Sequence, residues 1–253
     1  MMEKVIKMSD FSDLLNNLDE LKLDTIKSYI NEYLDTNSNK SFVSALKELT
    51  DKEIKFRNER AKEINIKISK FCYKRTIAEF DFDYQTSISK NQILDLASLR
   101  FIESSSNILF VGSPGTGKTH LAVAIGTEAA SKHISTYFIH FNDLINKIKK
   151  VCHENRAENI IKHYSKYKLL IIDEIGYIPV DKEYGRVFFQ LINARYEKKS
   201  TIITTNKPLS NWNDIFNDSV IATAILDRLV HHSTVIKITG PSYRIKDLIE
   251  ASN

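Results

Sequence analysis

Two cysteines, four prolines, seven glycines and one tryptophan in 253 residues set the first limits. Cys72 and Cys152 form no CxxC pair and have no ligand cluster beside them, which argues against a structural disulfide and for free thiols in a reducing compartment. No apolar run approaches the ~18 residues of a membrane span, and residues 1–7 hold no apolar stretch of signal-peptide length. These absences predict a cytoplasmic chain with no membrane partner. Glycine and proline are both missing from about the first 80 residues, so this region reads as all-helical. Charge is not one-sided either: 36 Lys and Arg against 32 Asp and Glu leave a net +4, a mild basic excess that permits a polyanionic partner without requiring one. Apolar content of 42% and charged content of 27% are those of a globular protein, and at roughly 100–200 residues per domain the length allows one large domain and a smaller one.

Within the helical region Leu23, Ile26, Ile30, Tyr33 and Leu34 form one apolar stripe, followed by a polar stretch from Asp35 to Lys40 expected to be a loop. A second helix should start near Ser41, with Phe42, Ala45, Leu46 and Leu49 on its buried face. It is expected to run on through a basic series that includes Lys52, Lys55, Arg57, Arg60, Lys62, Lys67, Lys70, Lys74 and Arg75, interrupted by Glu53, Glu59 and Glu63. A solvated face with local ion pairs is the plain reading, and a phosphate-contacting arm the sharper one. Phe80, Asp81, Phe82, Asp83 and Tyr84 break the pattern and mark the expected boundary between a helical domain over 1–79, for partner or DNA contact, and a nucleotide domain over 80–253. The aromatics there suit either a nucleotide base or a domain junction.

The chain is organised around GSPGTGKT, residues 112–119, between an apolar strand at 107–111 and a helix from His120 onward. This is the P-loop pattern GxxxxGK[ST], in a strand-to-helix context. Gly112, Gly115 and Gly117 permit close backbone approach, and Pro114 stiffens the loop. Together with Ser113 and Thr116 they would cradle phosphates at a helix N-terminus. Lys118 should reach the β- and γ-phosphates of ATP, and the Thr119 hydroxyl should ligate Mg²⁺.

Thr136 to Phe141 reads as a second strand, with a helix beginning around Asp143, and the alternation predicts an α/β fold: a parallel sheet in a three-layer αβα arrangement. Residues 147–168 gather Lys147, Lys149, Lys150, His153, Arg156, Lys162, His163, Lys166 and Lys168 against Glu154 and Glu158, a second candidate nucleic-acid surface. A further apolar strand ends in Asp173 and Glu174, the Walker B place. Asp173 would hold Mg²⁺, while alternation along the strand points Glu174 elsewhere, where it could polarise the attacking water. The strand from Thr201 ends in Asn206, at the sheet edge where ligands usually bind, so Asn206 could orient that water or simply terminate the strand. Arg228 and Arg244 are the arginines whose guanidinium groups would suit γ-phosphate charge. His231 and His232 are adjacent rather than at i, i+4 spacing, and no carboxylate cluster accompanies them in sequence, so no zinc site is expected.

GSPGTGKTHLA, LLIIDEIGYIP, TTNKPLSNW, AILDRLVHHS and GPSYRIKD, in this order after a helical region ending in FDF, resemble the IstB-like ATPases. These are helper proteins of bacterial insertion-sequence transposition, similar to DnaC-type helicase loaders within the AAA+ superfamily. The resemblance implies a P-loop AAA+ fold. It implies Asn206 as sensor 1, Arg228 as an arginine finger offered to a neighbouring subunit, and Arg244 as sensor 2 on its own nucleotide. It further implies ATP hydrolysis, homo-oligomeric assembly on double-stranded DNA with residues 147–168 near it, and a transposase partner. The N-terminal basic stretch is richer in Lys than Arg and so lacks the bidentate fork. A helicase loader with the same nucleotide site is the alternative, separable by its N-terminal partner. A small-molecule kinase is disfavoured, because a glutamate after the Walker B aspartate suits water activation.

Overall fold

The computed structural model describes residues 8–36, 41–154 and 156–245. By contacts the chain divides into two compact units, Met1–Glu63 and Ile64–Asn253. Among the described residues no helix is long and apolar enough to cross a membrane, and Cys72 and Cys152 are free.

Three helices begin the chain: α1 (Met8–Glu20), α2 (Asp24–Thr36) and α3 (Phe42–Ile68). The expected stripe does build the small core of the first unit, where Leu18, Ile26, Ile30, Tyr33 and Leu49 are buried and Leu23 and Ala45 pack against them. Leu34 and Leu46 do not join it and are exposed. Leu34 is turned roughly 80° round its helix from Ile26, at the margin of the stripe. Residues 37–40 of the expected loop, and the side chain of Phe42, lie outside the described residues. Arg57 lies on the expected solvated face in a local ion pair, but its partner Glu53 does not. Glu53 is 5% exposed and accepts from the Thr25 and Ile26 amides at 3.1 and 3.3 Å and from Arg57 Nε at 2.7 Å. Arg57 also donates to the Lys22 carbonyl at 2.7 Å. A carboxylate is thereby set on the orphan amides that open α2. Burial pushes the Glu53 carboxyl up, yet the Arg57 and backbone bonds outweigh it and hold the group below the usual carboxylate range.

The expected continuous helix to Arg75 stops at Ile68, where Lys70 enters the left-handed region at φ +59. The stretch that follows belongs with the second unit, so the contact boundary falls before the expected one at 79/80. The Phe138 amide donates to the Ser69 carbonyl at 2.8 Å, and Phe71 meets Phe138 edge-on. Helices α4 (Lys90–Ala97) and α5 (Arg100–Glu103) lead into β1 (Asn107–Gly112) and α6 (Lys118–Ser131). Then come β2 (Thr136–His140), α7 (Phe141–His153), α8 (Ala157–Ser165), β3 (Leu169–Ile175) and α9 (Lys182–Arg195). The chain continues through β4 (Ser200–Thr205), α10 (Asn213–Phe216), α11 (Ser219–Val230) and β5 (Ser233–Ile238). Phe141, expected at the end of the second strand, already opens α7.

All five strands run parallel in the order β2-β3-β4-β1-β5. Successive residues of a strand serve opposite faces. Leu109, Leu170 and Ile172 enter the core with α7, α8, α9 and α11, while Ile108, Phe110, Leu169 and Ile171 enter the core with α4, α5 and α6. The three-layer arrangement follows, and it leaves the carboxyl ends of the strands together on one edge.

Arg195, at the end of α9, is 1% exposed. It donates to the carbonyls of Tyr164 and Tyr167 at 2.8 and 2.9 Å, to the Ser200 carbonyl, and to Thr201 Oγ1 at 3.0 Å. Burial pulls its guanidinium down to about 9, which still leaves it charged at neutral pH. Arg195→Ala strands four acceptors and leaves a cavity, so urea unfolding is expected to register a loss on the order of 3 kcal/mol or more.

Candidate functional site

The phosphate loop is shaped by what crowds it. Gly115 and Gly117 stand at φ +81 and +91, and a Cβ on Gly117 would fall 2.5 Å from the Phe80 ring, so neither position admits a side chain. The Ser113 carbonyl accepts from Thr116 Oγ1 at 2.9 Å and from Lys118 Nζ at 2.7 Å. From the far end of the chain, the Tyr243 amide donates to the Gly115 carbonyl at 2.9 Å. Gln85 Nε2 and Tyr84 Oη reach the Pro241 and Ser242 carbonyls at 2.5 and 3.3 Å. A cleft of about 870 Å³, open to solvent, lies between these segments, and Pro114, Lys118, Thr119, Glu174, Asn206 and Arg244 are among the residues lining it.

At its floor Asp173 is fully buried. Its Oδ1 accepts from Thr119 Oγ1 at 2.9 Å and Thr204 Oγ1 at 2.6 Å, while its Oδ2 is buried without a hydrogen-bond partner. Burial pushes this carboxyl above its usual range, against the two threonine bonds. An orphaned carboxylate oxygen beside a hydroxyl is a hard-oxygen pair that fits a divalent ion of the magnesium kind. Burial lowers the Lys118 ammonium, and the charges of Asp173 and Glu174 work against that.

Glu174 does not reach the cleft by strand alternation alone. Ile172 pairs with Ile203 and Ile175 with Thr205, so three steps of β3 stand opposite two of β4. This is a bulge, and it puts Glu174 at φ +65. The Glu174 amide donates to Thr204 Oγ1 at 2.8 Å, and the side chain, 42% exposed, faces the cleft. Thr204 therefore ties both acidic residues, a role no motif announced. His140, the last residue of β2, was also missed: its Nδ1 lies 3.3 Å from Asp173 Oδ2 and 3.9 Å from Glu174 Oε2. Its place at the carboxyl end of a parallel strand was the one available signal. Asn206 follows β4, and its Oδ1 is buried without a partner. Tyr73, Glu79 and Tyr177, which carried no sequence signal, also line the cleft, as does Arg75 from the basic series.

Arg244 thus joins the cleft, whereas Arg228 does not. Arg228, on α11, donates through Nε to Asn193 Oδ1 at 2.7 Å and through its guanidinium to the Ala224 carbonyl at 3.1 Å, and it lies 4.6 Å over the Phe189 ring. The basic stretch 147–168 is not one surface. Arg156 is bound to Glu154 and Lys162 lies 3.5 Å from Glu158. Lys147 and Lys150 instead line a groove beside β2 with Lys70 and His140. His231 and His232 are joined by a carboxylate after all, that of Glu197.

The family model described as IstB-like ATP binding protein matches residues 16–251. A protein of insertion sequence IS232 from Bacillus thuringiensis subsp. berliner, described as ATP-binding, is 48% identical over 247 residues, covering 97% of this chain and 99% of its own length. One of insertion sequence IS21 from Pseudomonas aeruginosa is 43% identical over 191 residues, 76% of this chain and 72% of its own. Among solved structures, that of DnaI is similar with a TM-score of 0.55 and 22% identity, over 67% of this chain and 90% of that one. AMPPCP-bound DnaA from Aquifex aeolicus is similar with a TM-score of 0.56 and 20% identity, over 72% and 56%. At those identities the likeness speaks of architecture: the five-stranded parallel sheet with its helices is the P-loop AAA+ fold.

Proposed function

The chain belongs to the IstB-like ATP binding protein family, ATP-binding proteins of insertion sequences, and we propose that it hydrolyses ATP, assembles with copies of itself on double-stranded DNA and directs a transposase there. Lys118 and the backbone of residues 112–119 hold the triphosphate. Thr119 and Asp173 would hold Mg²⁺, which when bound would supply positive charge to the phosphates. Glu174 takes the proton of the attacking water and Asn206 orients that water. Arg244 contacts the subunit's own nucleotide.

The observation that carries this reading is a separation. Six of these residues (Lys118, Thr119, Asp173, Glu174, Asn206 and Arg244) meet at one cleft, while Arg228 is held outside it by Asn193 and Phe189. An arginine presented away from its own cleft is suited to a neighbour's γ-phosphate, and ATP then acts as the joint between subunits. Mixing Arg228→Ala subunits with Lys118→Ala subunits should restore hydrolysis that neither variant has alone. If every mixture stays inactive while each parent still assembles, sites are not shared.

DNA contact is assigned to the groove of Lys70, Lys147 and Lys150. Three phosphate contacts give a salt slope near −2.7, so duplex affinity should fall roughly 40-fold between about 50 and 200 mM salt. A flat response in fluorescence anisotropy would remove the groove from this role.

A further inference from the structure

We propose that Glu197, His231 and His232 form a surface site for a divalent transition-metal ion of the zinc class. The two imidazoles follow α11 and Glu197 follows α9, so only the fold brings them together. Glu197 Oε1 lies 3.5 Å from His232 Nε2 and 3.9 Å from His231 Nδ1, and one ligand atom from each residue falls within 4.8 Å of the others. With metal–ligand bonds of about 2.0–2.2 Å, neighbouring corners of a coordination tetrahedron are roughly 3.4 Å apart. The two spacings to Glu197 are thus within about half an ångström of that edge, and the two histidines lie within 4.8 Å of each other.

Two further features bear on the same spot. Glu197 is held at φ +57, a left-handed conformation uncommon for a residue with a Cβ. The Tyr196 hydroxyl lies 2.7 Å from His231 Nδ1 and fixes that ring; because this is the nitrogen that faces Glu197, an ion taken up there would replace the hydroxyl on it. All three side chains are about half exposed, at 53%, 54% and 51%, so an ion can enter from solvent and water can supply a fourth ligand. Two nitrogens and one carboxylate favour zinc, nickel, cobalt or copper over magnesium or calcium.

The position gives the site a consequence. It would tie the end of α9 to the end of α11, the two helices whose Asn193 and Arg228 are hydrogen-bonded at 2.7 Å. An ion there would brace the arginine from behind.

The test uses the full-length, untagged protein, stripped with chelator and titrated with Zn²⁺ and, for its visible spectrum, Co²⁺. One equivalent should bind with nitrogen and oxygen coordination and no cobalt–thiolate band, and Zn²⁺ should raise the melting temperature. Glu197→Gln and His232→Asn, both at exposed positions, should each weaken binding at least about 10-fold and cancel the thermal shift. Asp173→Asn should leave this equivalent in place, which separates it from the acidic floor of the cleft. No binding by the unaltered protein, unchanged affinity in both variants, a thiolate band, or loss of the equivalent in Asp173→Asn would each overturn the assignment.

Discussion

Lys118→Ala is expected to lower ATP affinity on the order of 100-fold, about 3 kcal/mol, with the fold unchanged by circular dichroism. The side chain is 8% exposed, and its ammonium rests on a single carbonyl, that of Ser113. Burial lowers its pKa while the carboxylates of Asp173 and Glu174 oppose that shift. A cation so poorly hydrated gains more from a phosphate than a surface lysine would, and alanine forfeits that gain. Lys118→Arg should recover little, because a planar fork cannot place a point charge where the slim ammonium sits. Calorimetric titration with ATP is the measurement, and affinity within about threefold of the unaltered protein would take Lys118 out of the phosphate site.

Glu174→Gln is expected to do the opposite: binding stays, and turnover falls by roughly 10²–10⁴, the usual worth of a positioned general base. The substitution is nearly isosteric, and the bond that sets this stretch of backbone runs from the Glu174 amide to Thr204, not from the side chain. The bulge should therefore survive, leaving only the proton acceptor removed. Such a protein should accumulate with ATP and duplex DNA as the assembled form, visible as a particle of higher mass. Normal turnover would strip Glu174 of its role. The pair of variants divides the cycle: one loses binding and hydrolysis together, the other hydrolysis alone.

Much of this architecture was readable from residue order. Apolar strands at 107–111 and before Asp173, each between polar boundaries, could only be buried on both faces, and GxxxxGKT fixed where the sheet meets a phosphate. What escaped was set by tertiary pairing. Alternation along β3 cannot reveal an extra residue opposite β4, so the route by which Glu174 reaches the cleft was hidden. His140 and Thr204 lie in strands that look purely structural, and they matter only because β2 and β4 flank β3. The stretch 64–79 looked like a continuation of the basic helical region because its attachment to Phe138 is a backbone bond with no sequence signature. Glu197 is remote in sequence from the two histidines, which therefore seemed to lack a carboxylate.

Residues 241–243 are fastened on both sides, to Gly115 by the Tyr243 amide and to the 84–85 stretch by Gln85 and Tyr84. Beside the open cleft, residues 241–243 are thus a clasp on the phosphate loop. A shift of this segment would therefore carry the phosphate loop with it. A neighbour or a duplex that pulled on residues 241–243 would then reshape the phosphate loop without touching a single group that does chemistry.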